Sequence, residues 1–352
     1  MVMEAANGGW VKMRQWAALG IVRQVGNRRE LAMNQIHSVT CGSHSLPQKN
    51  GMIRGLTRII AFLLCVLALP LATSEAVPSQ VTVPVTSHKG PALWKVSDKD
   101  TTIYLFGTIH FLPQNVEWYG GDIARALQES GELVTEFDAR EAGRLAALMQ
   151  ETAFLPEGEN FRDKLGKDDR LAFEGMLVSM GIPVDRYDRY KPWAAGLEVS
   201  VTMIRLAGFD PSQGVEKVVL DKAPSGIKRS ALETIDYQMA IFSNLPEETQ
   251  LAYFSQVIQS SSSLRSSLDT MLAEWLKGDA KTLAKLINAN DTDPELYRRL
   301  LTDRNAAWAK WIDKRLEQPG TVFVAVGAGH LAGKDSVQDR LKRLGIRTKR
   351  IR

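Results

Sequence analysis

The apolar positions of this chain follow two rhythms. Leu93–Val96 and Thr102–Phe106 are short, strand-like runs separated by Ser97-Asp98-Lys99-Asp100, a spacing that predicts a hairpin. Glu132–Phe137, Ile227–Leu232 and Ile346–Ile351 read as further strands. Thr321–Val326 is apolar on both faces from Val322 onward, as a central strand should be. Between these runs the apolar spacing becomes helical: Asp122–Ser130, Leu145–Phe154, Leu171–Met180 and Trp193–Leu206, with breaks at Pro156, Pro183 and Pro192. Asp236–Asn290 is helical with interruptions near Pro246 and Gly278, and Pro294–Leu316 and Ser336–Leu344 complete the set. Lys191-Pro192-Trp193 reads as a helix start rather than a substrate contact. Strands from both chain ends with helices between them predict an α/β (α+β) fold. Its centre would be a mixed β-sheet carrying a large helical insertion. No repeat of solenoid period is present.

One apolar run does not belong to that domain. Ile59–Ala72 is 14 residues long and follows Arg54 and Arg58. A comfortable membrane span needs about 20 residues, whereas a signal-peptide core needs about 7–15. Ser74-Glu75-Ala76 places small residues where cleavage before Val77 would require them. The expected organisation is a non-native or disordered extension over 1–51, a signal peptide over 52–76 starting at Met52, a linker over 77–90, and a hydrolase-like domain over 91–352. The protein would then be exported, to the periplasm or beyond, with membrane attachment only through an uncleaved signal segment. Cys41 and Cys65 both lie in the leader, so the exported domain has neither a disulfide nor thiol chemistry. Phe62-Leu63-Leu64 before Cys65 lacks the small residues of a lipidation site. Residues 1–76 hold eight Lys/Arg against three acids, which leaves 36 basic and 37 acidic residues elsewhere. The net charge of +4 therefore belongs to the leader and argues for no nucleic-acid partner.

Histidine is scarce. Of five in the chain, His37 and His44 lie in the leader. Two of the remaining three share one context, strand end then Gly-x-x-His: Gly107-Thr108-Ile109-His110 and Gly327-Ala328-Gly329-His330. Glu136 stands at the end of the third predicted strand, and the carboxyl ends of strands are where α/β sheets hold ligands. Two neutral imidazoles and a carboxylate suit a divalent transition metal, with Asp138 as a reserve ligand. Arg304 is the candidate to stabilise a developing oxyanion, against the alternative of a salt bridge on a helix face. The turn Gly327–Lys334 misses the phosphate-loop spacing, because Gly327 and Gly333 stand one residue too far apart and Asp335 replaces the Ser/Thr. Ala332 likewise occupies the third glycine of a dinucleotide fingerprint, so nucleotide binding is not expected.

A further pattern emerges from ordered fragments: Leu93-Trp94-Lys95-Val96, Phe106 through His110, Glu136, Lys191-Pro192-Trp193, Leu232-Glu233-Thr234 with Gln238, Arg304-Asn305, and Val326 through His330. Together they resemble the TraB/GumN family, which is similar to the TIKI-type metalloproteases, over roughly Pro91 to Arg352. Residues 1–51 have no counterpart in that pattern. The resemblance implies a metal-dependent hydrolase, a peptidase acting on a secreted peptide or protein. His110, Glu136 and His330 would be its metal set, and manganese, cobalt or zinc the metal. Glu136 would complete the ligand shell or act as general base. The fold is also similar to the erythromycin-esterase superfamily, where His and Glu activate water without metal. TraB-like members inhibit peptide pheromones, and GumN sits beside polysaccharide genes. Two rivals stay open: metal-free His/Glu hydrolysis, and a non-enzymatic protein that sequesters a secreted peptide or glycan.

Overall fold

The computed structural model describes residues 90–287 and 293–352. The extension, signal segment and most of the linker lie outside the described residues, as does the end of the run expected to reach Asn290. Among the described residues no helix is long and apolar enough to cross a membrane.

In chain order the elements are β1 (Leu93–Ser97), β2 (Thr101–Thr108), α1 (Gly121–Gln128), β3 (Glu132–Thr135), α2 (Ala142–Thr152), α3 (Lys167–Ser179), α4 (Pro192–Leu206), α5 (Val215–Lys222) and β4 (Lys228–Ala231). Then follow α6 (Ile235–Ser243), α7 (Glu247–Ser260), α8 (Leu264–Lys277), α9 (Ala280–Ile287), α10 (Pro294–Tyr297), a π turn (Arg298–Thr302), α11 (Asp303–Arg315), β5 (Gly320–Gly327), α12 (Val337–Arg343) and β6 (Lys349–Arg350). Most boundaries lie within a few residues of those expected. The final strand is the exception: pairing with β1 holds only Lys349–Arg350 of the six residues expected, and both are exposed at the sheet edge. The third strand also stops two residues early, at Thr135, which releases Glu136 from the ladder.

Local chemistry accounts for several of the boundaries. Thr234 caps α6 by accepting from Tyr237 N, and Ser336 caps α12 by accepting from Asp339 N. Pro192 opens α4 at its first position, as the Lys-Pro-Trp pattern predicts. Gly278 ends α8 in the left-handed region, where only glycine fits cheaply.

The sheet is mixed, with strand order β4-β3-β5-β2-β1-β6. β5 lies in the middle, parallel to β2 on one side and to β3 on the other. The hairpin β1–β2 is antiparallel. Side chains alternate between two cores. Leu93, Phe106, Leu133, Phe323 and Ala325 face the inserted helices. Ile103, Leu105, Val134, Val322, Val324 and Val326 face Trp308, Ala309 and Ile312 of α11 and Val337 and Leu341 of α12. β5 is thus buried on both faces, the condition its continuous apolar run anticipates.

One face explains the polar ends of β3. Glu132 and Glu136 share the parity of Val134, so all three point toward α11. On that helix Arg304, Trp308, Ile312 and Arg315 recur at helical spacing. Arg315 Nε donates to Glu132 Oε2 at 3.1 Å near the strand's start, and Arg304 Nη2 donates to Glu136 Oε2 at 2.6 Å beyond its end. The helix therefore lies antiparallel to the strand, clamped by an ion pair at each end over an apolar middle.

Candidate functional site

Because β2 and β5 are neighbouring parallel strands, their Gly-x-x-His turns leave the sheet side by side. Gly107 is in register with Val326, and Thr108 with Gly327. The approach is close enough to require glycine: a β-carbon on Gly107 would lie 3.0 Å from Ala328 Cα and 3.2 Å from its Cβ. The Gly107 carbonyl accepts from Trp275 Nε1 of α8 at 2.8 Å, which ties the turn to the inserted helices.

Glu136 sits beside these turns, next to β5, and is 4% exposed. Its Oε1 accepts from Gly327 N at 2.7 Å, so it reads the backbone of the second tetrad directly. Its Oε2 accepts from Arg304 Nη2 at 2.6 Å and from Gln238 Nε2 at 3.0 Å. Arg304 is 1% exposed, and the salt bridge given above as its alternative reading is present, as a buried pairing with both Glu136 and Glu233. Its Nε contacts both oxygens of Glu233 at 2.9 and 3.0 Å, and its Nη1 donates to the Leu300 carbonyl in the π turn at 3.2 Å. The guanidinium carbon also lies 4.8 Å from the centroid of the Trp308 ring. Glu233 in turn accepts from Trp308 Nε1 at 2.8 Å and from Gln238 at 3.2 Å. Burial pushes the Glu233 carboxyl upward, and the Glu136 charge adds to that, against the pull of Arg304.

His330 lies in the short helical turn after β5 and is fully buried. Its Nδ1 meets Asn305 Oδ1 at 2.6 Å. Asn305 Nδ2 donates to the Asp335 carbonyl at 2.9 Å, which fixes the amide with Oδ1 toward the ring. The ring proton therefore belongs on Nδ1, and Nε2 accepts from Arg304 Nη1 at 3.3 Å. The ring also lies 4.4 Å from that of Trp308, centroid to centroid. Burial first, then the charges of Arg304 and His110, push the His330 imidazole well below its ordinary value of 6.5.

The sign of the linkage follows. Below pH 6.5 the unfolded chain takes up a proton at His330 that the folded chain refuses, so stability falls as pH is lowered through that window. The slope from this one group is at most about 1.4 kcal/mol per pH unit. Urea unfolding at pH 7.5 and 5.5 should show this loss in the wild type and a smaller one in His330→Gln; equal losses would exclude His330 as the source.

His110 approaches from the other layer. It follows β2 on the side of the inserted helices, where its Nδ1 lies 2.7 Å from Glu216 Oε1 of α5. Burial alone would raise the Glu216 carboxyl, but the His110 charge and contacts with His110 and Thr108 together hold it below its ordinary value. The structure thus joins Glu136, Arg304 and His330 through direct contacts, while His110 follows the neighbouring strand end. Asp138 does not join them; it pairs with Arg140 at the surface. Glu216 and the orienting role of Asn305 are not evident from sequence. A Gly-x-Glu at a helix start is too common a pattern to stand out.

Among the described residues no group of three or more His, Cys, Asp or Glu is arranged to hold a metal ion. Each of the two imidazoles turns its Nδ1 toward a side-chain oxygen, Glu216 Oε1 for His110 and Asn305 Oδ1 for His330. Glu136 is different: both its oxygens accept hydrogen bonds from protein donors. The site as a whole is a buried His/Glu/Arg centre at the carboxyl edge of a mixed α/β sheet, where two helical layers meet.

That class has a particular counterpart. The model of the TraB/PrgY/gumN family matches residues 92–350, and the chain belongs to this family. It is similar to an uncharacterized protein of Treponema pallidum, with 22% identity over 300 residues covering 81% of this chain and 90% of that protein. Similarity to YbaP of Escherichia coli is 23% over 242 residues, 68% of this chain and 87% of YbaP. Metalloprotease TIKI1 of Danio rerio is 26% identical over 312 residues, 72% of this chain and 61% of that protein. No solved structure matches.

Proposed function

We propose that the protein is a hydrolase, a peptidase acting outside the cytoplasm on a secreted peptide or protein, with His110, Glu136, Arg304 and His330 at its centre. One observation carries the reading: two Gly-x-x-His turns leave adjacent strands in register, and Glu136 bonds to the backbone of one of them. Its similarity to metalloprotease TIKI1 supports a peptidase in particular, and the apolar run behind two arginines in the leader supports export.

Imidazole nitrogens are donors of the type that manganese, cobalt or zinc takes, and such an ion would be held through Nε2 of His110 and of His330. Such an ion would supply a water molecule of lowered pKa. The chain's own residues do the rest. His330 stays neutral at physiological pH, so its Nε2 keeps a lone pair. Glu136 accepts the proton given up by the attacking water, and Arg304 offsets the negative charge that develops on the scissile carbonyl. Ligation by His330 requires Arg304 Nη1 to leave Nε2, while Nε and Nη2 keep the guanidinium anchored to Glu233 and Glu136.

That same contact favours a second reading, in which His330 and Glu136 activate water with Arg304 in place and no metal takes part. Titration of the purified protein with manganese, cobalt and zinc, alongside peptide hydrolysis with and without chelator, separates the two. The metal reading expects binding that is lost in His110→Ala and His330→Ala, and hydrolysis that chelation stops. Hydrolysis that survives chelation, in a protein that takes up none of the three ions, leaves the metal-free reading. No hydrolysis under any condition removes both and leaves the sequestering protein.

A further inference from the structure

We infer that Glu216 is the positioning residue of His110, holding its ring with Nδ1 toward α5 and Nε2 as the working nitrogen. This rests on the reading of His110 as part of the centre.

The first observation is the contact itself, 2.7 Å between Glu216 Oε1 and His110 Nδ1, with both carboxylate oxygens shielded from solvent. A carboxylate only accepts, so the nitrogen facing it must carry the proton. The second observation is independent of side chains. The segment that carries His110 is stitched on both sides to the entry of α5. Leu112 exchanges both backbone hydrogen bonds with Asp210, at 3.3 and 2.9 Å, and Val215 N donates to the Ile109 carbonyl at 2.9 Å. Between them, Gly214 lies so near that a β-carbon would stand 2.3 Å from the His110 carbonyl oxygen. Gly214, Val215 and Glu216 are consecutive, so one turn of chain touches the carbonyl of His110, the carbonyl before it and its ring.

A helix start could be docked against a loop for packing alone, and an apolar residue at 216 would then serve. An acid buried there costs free energy unless it is paired, and the ion pair with His110 is what offsets that cost. Position 216 also lies in the first turn of α5, where a negative charge is favoured by the helix dipole. His330 has the neutral counterpart of this device in Asn305. The two histidines are therefore each oriented through Nδ1 from a helix, one from either layer.

The test uses three variants of the exported domain in its full chain: Glu216→Met, which removes the acceptor at similar volume; Glu216→Gln, which keeps an acceptor oxygen without charge; and His110→Ala. Nitrogen-15 NMR of the imidazoles reads the His110 tautomer directly, with His110→Ala assigning its signals. The wild type and Glu216→Gln should show Nδ1 protonated, and Glu216→Met should show a mixture or the reverse. Manganese, cobalt and zinc affinity, or hydrolysis where metal is not used, should fall about 10–100-fold in Glu216→Met and by a smaller factor in Glu216→Gln. An unchanged His110 tautomer in Glu216→Met overturns the proposal. If Glu216→Met does not fold, Glu216→Gln decides: affinity and rate both equal to wild type overturn the proposal. If His110→Ala leaves metal binding and hydrolysis intact, the reading of the centre has failed instead, and the tautomer still judges Glu216.

Discussion

Arg304→Met is expected to lower the unfolding free energy by about 3–5 kcal/mol, the usual cost of removing one partner from a buried ion pair. The reason is the charge left behind. Arg304 is the cation shared by Glu136 and Glu233, both nearly inaccessible to solvent. Without it, two carboxylates face each other in a medium that solvates neither. Methionine fills much of the volume and removes only the guanidinium, so cavity formation contributes little. In urea the midpoint should shift strongly at neutral pH, and a thermal scan should show a fall of roughly 10 °C. Adding Glu136→Gln and Glu233→Gln to Arg304→Met should restore much of the loss. If the single variant stays within about 0.5 kcal/mol of wild type, the size expected of an ordinary surface change, the ion cluster is not the buried network described.

Glu136→Gln is expected to reduce peptide hydrolysis by about 10²–10⁴-fold, the range for loss of a positioned general base, with the fold retained. Glu136 only accepts, from Gly327 N on one oxygen and from Arg304 and Gln238 on the other. Glutamine replaces one acceptor with a donor, so one of those N–H groups loses its partner, at a cost of about 1–3 kcal/mol. Rate and stability must therefore be measured on the same preparation. A large loss of rate below the unfolding transition assigns Glu136 to the chemistry. A sequestering protein predicts the opposite: the effect on a secreted peptide persists in cells that carry Glu136→Gln.

The sheet and the order of elements were largely legible because their signals are local. Thr321–Val326 is apolar on both faces, and the observed β5 is central. Helical spacing and proline breaks located the inserted helices, and Pro192 marked the start of α4. The last strand was overestimated, since Ile346–Ile351 has the composition of a strand but only β1 beside it to pair with, at an edge. The two Gly-x-x-His turns, Glu136 and Arg304 were visible as residues worth naming, because histidine is rare here and strand ends are few.

What those residues do to one another was beyond the sequence. Arg304 could be a surface pair or a buried anchor with the same local pattern, and only the packing of α11 across β3 buries it. Asp138 and Glu136 are two positions apart, yet one pairs with Arg140 at the surface and the other is enclosed. Glu216 is separated from His110 by more than a hundred residues, and no periodicity links them; the contact exists because the chain between Asp210 and Val215 is laid along the His110 turn. By itself the sequence determined which segments become strands and helices and which scarce side chains stand at strand ends, since both follow from local spacing. The tertiary structure alone decided which charges share a buried volume, because that depends on which strands and helices become neighbours across the sheet.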